Sequence, residues 1–400
     1  MALDDQLAVS LAQDEAPLFT GYIQHIELTT HISVRFIRLS LAGLSSKMDT
    51  LPHTKRYHNP DKTYACLFNK ITQAHQGECT DHAFNGEAQT AVAIQYQETD
   101  WQFLRRLASH KEALVFTRMD APELAVIIGT PDSEPTALSG DLLEKTFASN
   151  IFAHRVRSVE NHPLCSRVTF NDETYCIAGR TIHAHEGILL QTYTLRPPET
   201  LTTAKAYNAA LAGASLPGTV YDFNPDHGLN YLRIKLDADE SGAEDNDEWF
   251  EVATPYSGEG NAGSFGVYIM PSPSARVALY FPQADESLAY VAAVFQSEDI
   301  PQGILESQEN KQWATGGHTL MMNDERLKLS YKESAALSLE TNDVFSIYSE
   351  AAILIKGDAL ELNKMANVAV TGKEIELKTN SSSILLGRNI DISATAPIRL

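Results

Sequence analysis

The chain has 400 residues, 43% of them hydrophobic and 21% charged, with 52 acidic against 31 basic residues and a formal net charge of −21. That length supports about two or three domains with separate cores, and so negative a surface excludes nucleic acid and anionic membrane as expected partners. No stretch approaches the ~20 apolar residues of a membrane-spanning helix, and Met1-Ala2-Leu3-Asp4-Asp5 lacks the basic-then-apolar opening of a signal peptide. Synthesis in the cytoplasm is therefore expected, with no stable membrane association and export only if a machine carries the protein out whole.

The first 205 residues mix strands with a few helices. Residues 21–28 alternate apolar with polar, as does the stretch 31–42 through Ile32, Val34, Phe36, Ile37 and Leu39. From Asp100 the period changes: Trp101, Phe103, Leu104, Leu107 and Ala108 recur at helical spacing, with Thr99 or Asp100 placed to cap the start. Residues 113–117 and 124–128 then read as strands. Cys66, Cys79, Cys165 and Cys176 form no CxxC pair and no disulfide scaffold. Cys165, His183 and His185 have ligand chemistry, but Cys165 and Cys176 on adjacent strands with the two histidines exposed on another explains them as well, and no metal or cofactor is expected.

Residues 204–214, rich in Ala, suggest a short helix or linker, and Pro217-Gly218 a break at a domain boundary. Six short strands follow, at 220–223, 231–236, 250–253, 266–269, 277–281 and 289–295, the pattern of a small closed barrel such as an OB-fold. The acidic loop 237–251 is expected to be a solvated excursion.

Beyond Asn323 the chain repeats. Apolar pairs recur about every eight residues: Leu327/Leu329, Leu337/Leu339, Phe345/Ile347, Ile353/Ile355, Leu360/Leu362, Val368/Val370, Ile375/Leu377, Ile384/Leu386 and Ile390/Ile392. Such a period signals a solenoid or array. Two inward residues per unit do not offset the entropy of ordering eight, so neighbouring chains are expected to supply both the missing apolar faces and the strand pairing. Three intertwined chains around an apolar axis meet that need, as a needle about 40 Å long. A single-chain solenoid with three such units per turn also fits the period.

Three landmarks then resemble the VgrG family and phage tail spike hubs. The stretch Gln95-Tyr96-Gln97-Glu98-Thr99-Asp100-Trp101-Gln102-Phe103-Leu104 resembles the hub motif, in which a strand ending in Glu-Ser/Thr-Asp leads into a helix; Asp100, Trp101, Phe103 and Leu104 carry it. Pro271-Ser272-Pro273-Ser274-Ala275-Arg276-Val277 stands where the family has Pro-x-x-Gly-x-x-Val, with Ser274 in place of the glycine. Gly316-Gly317-His318-Thr319-Leu320-Met321-Met322-Asn323-Asp324 resembles the family's needle entrance, through Gly317, His318 and Asp324.

The resemblance implies a mainly β fold in three parts: hub β-barrels with short helices over 1–205, an OB-fold collar over 206–300, and an intertwined triple-stranded β-helix, or β-prism needle, over 301–400. It implies a homotrimer that adapts a six-fold tube to a three-fold needle in a contractile injection system, such as a type VI secretion system or phage tail-like particle. The implied partners are an Hcp-like inner tube protein, baseplate hub proteins, a PAAR-like tip protein and effectors. The implied location is such a particle, ejected from the cell on firing. The first hub barrel is expected to begin short, and the tip His-x-His that binds iron in some phage spikes is absent from the sequence.

An enzyme is not expected. The sequence has no Gly-x-Ser-x-Gly elbow, His-Glu-x-x-His or phosphate-binding loop, and the carboxylates Glu240, Glu244, Asp245, Asp247 and Glu248 crowd into one acidic loop rather than face each other across a cleft. Trp101, Phe103 and Leu104 are expected in the hub core, and Arg105 and Arg106 as intersubunit or surface ion-pair partners. The alternative is a trimeric carbohydrate-binding tail protein or adhesin, which requires aromatics exposed along the needle; between 325 and 400 these are Tyr331, Phe345 and Tyr348.

Overall fold

The computed structural model describes residues 8–13, 16–31, 34–148, 151–185, 188–223, 230–238, 248–254, 257–260, 263–266, 270–295, 311–315, 317–332, 334–356, 375–378 and 383–386, in two units, Met1–Asp299 and Ile300–Leu400. The first unit opens with β1 (Ala8–Gln13), β2 (Ala16–His31) and β3 (Val34–Gly43), an antiparallel sheet in that order. Strand β4 (His53–Thr63) leads into α1 (Tyr64–Gln73), a helix with no counterpart in the sequence-based expectations. Thr63 caps it by accepting the Cys66 N–H at 3.4 Å, and Leu67, Phe68 and Ile71 form its buried face.

After β5 (Gly77–Asp81), strand β6 (Ala88–Glu98) pairs back on β4 and feeds α2 (Asp100–Ser109). Strands β7 (Val115–Thr117) and β8 (Leu124–Ile128) complete a sheet ordered β5-β8-β7. The two helices and these strands enclose one core, in which Phe68, Phe103, Leu104 and Ile128 are fully buried.

Six strands form the next sheet: β9 (Thr136–Ala137), β10 (Asp141–Ala148), β11 (Ile151–Ser158), β12 (Arg167–Phe170), β13 (Glu173–His185) and β14 (Ile188–Arg196), ordered β10-β11-β14-β13-β12-β9. The histidines expected on a strand of their own sit on β13 with Cys176, because that strand runs unbroken to His185. The resemblance implied closed hub barrels; among the described residues both of these sheets are open. Their hairpins β2–β3 and β10–β11 extend past the core, leaving Ile26, Leu28, Phe36, Phe147 and Phe152 exposed, with no further described strand to close on them.

The collar region does close. Strands β15 (Ser215–Asp222), β16 (Tyr231–Leu236), β17 (Trp249–Val252), β20 (Arg276–Tyr280) and β21 (Tyr290–Val294) form a barrel in the order β15-β16-β17-β21-β20, with β17 and β21 parallel. A separate hairpin, β18 (Ser257–Gly260) and β19 (Gly263–Gly266), lies near the strand expected at 266–269, of which 267–269 fall outside the described residues. Residues 204–214 supply one 3-10 turn, Ala209–Leu211, whose Leu211 is fully buried with the barrel core.

Pro217-Gly218, expected to be a break, lies inside β15. A Cβ on Gly218 would meet Ile234 Cγ2 at 2.7 Å and Lys235 O at 2.8 Å, so glycine lets β16 close against a sharply curved strand. Ser274 stands at φ +72, its N–H donating to Val220 O at 2.8 Å. That left-handed backbone is the physical reason for a glycine at this place in the Pro-x-x-Gly pattern.

In the second unit β22 (Lys311–Thr315), β23 (His318–Met322), β24 (Arg326–Tyr331), β25 (Ala335–Glu340) and β26 (Phe345–Ser349) form an antiparallel meander, and β27 (Ile375–Lys378) pairs with β28 (Ser383–Leu386). The strand pairing expected from other chains is supplied here by successive units of the same chain, because the short polar turns between units return each strand directly alongside the last.

Replacing Ser274 by glycine should relieve the left-handed strain and stabilise the protein by about 1 kcal/mol, read as a higher thermal midpoint; a lowered midpoint would mean that the Ser274 side chain supports the turn.

Candidate functional site

Unit spacing and antiparallel register together decide where the repeat residues go. Leu327 lies opposite Leu339, and Leu339 opposite Phe345; Leu329 lies opposite Leu337, and Leu337 opposite Ile347. Directly opposed residues share a face of a sheet, so these six form two continuous apolar rows. The rows extend backward through Leu320 to Trp313 and through Met322 to Lys311. The other face is mostly polar, carrying Gln312, Lys328, Ser338, Ser346, Arg326 and Glu340 beside Met321 and Tyr348, with Ser338 and Ser346 hydroxyls 2.7 Å apart.

The sheet is thus amphipathic, but its apolar face is not covered by the described residues. Leu327, Leu329, Leu337, Leu339, Phe345 and Ile347 are between 37% and 57% exposed, and Trp313 is 63% exposed. Ile375 opposes Leu386, and Leu377 opposes Ile384, so the same matching returns in β27–β28. Ile353 and Ile355 are exposed on a segment outside the strands. Leu360, Leu362, Val368, Val370, Ile390 and Ile392 lie outside the described residues.

At the expected needle entrance, Gly317 turns the chain between β22 and β23 at φ +86, and its carbonyl accepts the Lys332 N–H at 2.8 Å. His318 packs on Tyr331, ring centroids 4.6 Å apart. Asn323 Oδ1 accepts the N–H groups of Glu325 and Arg326 at 3.0 and 2.9 Å, closing the next turn, while Asp324 is exposed.

In the hub motif, Thr99 is the cap of α2. Its hydroxyl accepts the Gln102 N–H at 3.2 Å while the Gln102 side chain accepts the Thr99 N–H at 3.1 Å. Asp100 is buried, 2.7 Å from His75 Nε2 and accepting from Gln95 Nε2 at 2.9 Å. Burial pushes its carboxyl up, but the hydrogen bonds from His75 and Gln95 with the charges of His53 and His75 outweigh it and hold it below the ordinary range. Phe103 and Leu104 are fully buried and Trp101 packs at the margin of that core.

Arg106, expected on the surface or at a subunit contact, is instead buried within the chain. Its Nε donates to Glu98 at 2.8 and 3.1 Å, Nη1 donates to Glu286 at 2.7 Å, and Nη2 donates to Glu98 at 2.9 Å and to Ile94 O at 2.8 Å. Glu98 ends β6, and Glu286 sits on a 3-10 turn of the barrel, so one guanidinium joins β6 and α2 to the barrel. Burial opposes its charge, yet the hydrogen bond it donates to Glu98 and the two carboxylate charges raise its affinity for the proton. Arg56 adds a second tie, Nη2 to Ile234 O at 2.9 Å, and Ile94 itself packs in the barrel core. Arg105 is exposed.

Of the acidic loop, 239–247 lie outside the described residues. Glu248, expected to be solvated, is half-buried 3.4 Å from His58, and burial raises its affinity for the proton against the opposing charge of Arg56. Cys165 and Cys176 are both fully buried, Cys176 Sγ donating to Cys165 O at 3.3 Å. Among the described residues no group of three or more His, Cys, Asp or Glu gathers as a metal would need.

No family model and no curated protein matches the chain. Solved structures do resemble it. A chain of the half-lidded Francisella PdpA–VgrG complex aligns at a TM-score of 0.48 and 8% identity, over 83% of this chain and 75% of that one. The 43 kDa tail protein of prophage MuSo2 from Shewanella oneidensis aligns at 0.40 and 11%, over 50% and 82%. A tail protein from Neisseria meningitidis MC58 aligns at 0.40 and 12%, over 50% and 86%. With scores below 0.5, these likenesses fix neither the fold nor the role of this chain.

Removing the guanidinium with Arg106→Ala leaves two buried carboxylates unpaired and should cost about 3–5 kcal/mol; Arg106→Lys should recover only part, since one ammonium cannot reproduce the fork. Denaturant unfolding of the three proteins measures both. Because the Asp100 carboxyl is depressed in the folded state, its contribution is present above the unfolded value of about 3.9 and lost as pH falls through the lower folded value. Asp100→Asn should therefore flatten the fall in stability below about pH 4, followed by urea titrations across that range.

Proposed function

We propose that this chain is a structural spike protein of a contractile injection apparatus, working as a homotrimer and not as an enzyme. The observation that carries the reading is the uncovered apolar face of the repeat sheet. Six aliphatic and aromatic side chains in two register-matched rows, all more than a third exposed, are stable in water only when covered. Three such faces turned inward enclose a narrow axis, and three polar faces remain outside. The result is a β-prism, in which each copy supplies one side.

The order of parts supports the same reading. A hub with the capped Thr99-Asp100 helix precedes a closed five-stranded barrel with one parallel pair, the arrangement we read as an OB-fold collar, and the repeat follows it. In this reading the hub docks on an Hcp-like tube, the needle carries a PAAR-like tip protein or effectors, and the assembly leaves the cell when the apparatus fires. Axial load is borne by stacked strands cross-linked by backbone hydrogen bonds. The adhesin alternative needs aromatics on the outer face. Trp313 lies instead in the apolar row with Leu320, Leu329 and Leu337, where assembly covers it, and among the described aromatics of the sheet Tyr348 alone stands exposed on the outer face.

Light scattering on the purified chain should give three times 44.0 kDa, and Leu339→Asp should shift it to the monomer by placing a charge on the axis. A wild-type monomer, or an unchanged trimer in the variant, overturns the proposal.

A further inference from the structure

The two apolar rows of the repeat sheet run across its strands. A face that lines an axis with both rows therefore has its strands running around that axis and stacked along it, about 4.8 Å apart. Each strand then ends at a corner, beside the next copy. In a cyclic assembly such contacts are head-to-tail: one end of every sheet meets the opposite end of its neighbour, and pure rotation keeps equal strands at equal height. The two ends of a single sheet thus define the corner between copies.

Those ends differ in chemistry. At one end stand the start of β23 and the close of β24, with His318 directly opposite Tyr331 and their rings 4.6 Å apart. Both lie on the apolar face, two residues along their strands from Leu320 and Leu329. Lys332 follows, exposed, its Nζ 5.5 Å from the Tyr331 ring and without a carboxylate partner among the described residues. Glu350, at the close of β26, is the other described charge there.

The opposite end is acidic, with Asp324, Glu325, Glu340 and Asp343 against Arg326 and Lys311. Arg326 is held by Glu325 at 3.4 Å and lies directly opposite Glu340, so three carboxylates in the two turns around it leave that patch negative. Glu340 itself accepts only a long hydrogen bond from Ser338 Oγ, at 3.4 Å, and has no ion pair among the described residues.

Height matches these groups across the corner. Lys332 directly follows β24, and Glu340 closes β25, the adjacent strand, so the two stand within about one strand spacing, inside the reach of a lysine. Tyr331 and Leu327 are the two ends of the apolar face on β24, 39% and 37% exposed, and share one height exactly as His318 and Met322 do on β23.

We propose that at each corner of the assembled needle Lys332 of one copy pairs with Glu340 of the next, outside a contact of Tyr331 with the neighbour's Leu327. The inference rests on the reading of this chain as a three-fold spike and names the side chains that join its copies. One exposed pair contributes little, but three of them set which end meets which and at what height.

Carbodiimide cross-linking of the full wild-type chain, with light scattering on the same sample, tests it. Within a chain Lys332 and Glu340 lie at opposite ends of β25, at least about 17 Å apart, so an amide between them joins two copies. Covalent trimers whose digest contains that amide are expected. Lys332→Glu should raise the trimer dissociation constant about tenfold at low salt, and Lys332→Glu/Glu340→Lys should restore it. A trimer without the amide, or one that Lys332→Glu leaves equally tight, overturns the corner contact and leaves the spike reading intact. A species other than a trimer that carries the amide supports the contact and overturns the spike reading. A monomer with no cross-link overturns both.

Discussion

The Arg106 guanidinium ties the strand just before its own helix to a turn of the barrel 180 positions away. Glu98 closes the hub strand β6, Ile94 lies one face of that strand inside the barrel core, and Glu286 belongs to the barrel's own 3-10 turn. A charge this deep is tolerated because nearly every donor of the fork meets an acceptor, and two carboxylates offset the loss of water. Helix α2, strand β6 and the barrel therefore share one anchor of buried, directional bonds. Arg56 on Ile234 and Asn208 on Tyr96 O repeat the device on either side.

The second unit obeys the opposite logic. Among the described residues of its sheet only Ser338 is buried. Cross-strand matching of Leu327, Leu339 and Phe345, and of Leu329, Leu337 and Ile347, concentrates apolar area on one side, where a lone chain exposes it. A first unit whose apolar side chains are buried within the chain and a repeat sheet whose apolar face is exposed stand differently toward the same requirement, burial of apolar surface against the entropy of ordering.

How much of this was legible depended on the range of the interaction. Strand β16 at 231–236 and helix α2 from Asp100 follow from alternation and helical spacing, which are local. Helix α1 carried an equally local signal, a Thr63 cap followed by Tyr64, Leu67, Phe68 and Ile71 at helical spacing. Pro217-Gly218 misled for the converse reason: the dipeptide has loop chemistry, but close approach of β16 put its glycine to use inside a strand. Arg106 had a faint mark, a charge on the same side of α2 as Phe103 and Leu107. Its partner Glu286 is 180 positions away, and no spacing rule spans that distance.

The sequence by itself determined the periods: where strands alternate, where a helix turns, and that apolar pairs recur about every eight residues beyond Asn323. These are set by backbone geometry, which repeats over two or 3.6 residues whatever surrounds it. Only the tertiary structure decided that the octads pair with their own neighbours, that Arg106 is internal, and that Arg180 Nε and Nη2 are buried without an acceptor among the described residues. Those outcomes depend on which surfaces meet, and burial and hydrogen bonding between distant segments are fixed only when the whole chain has closed.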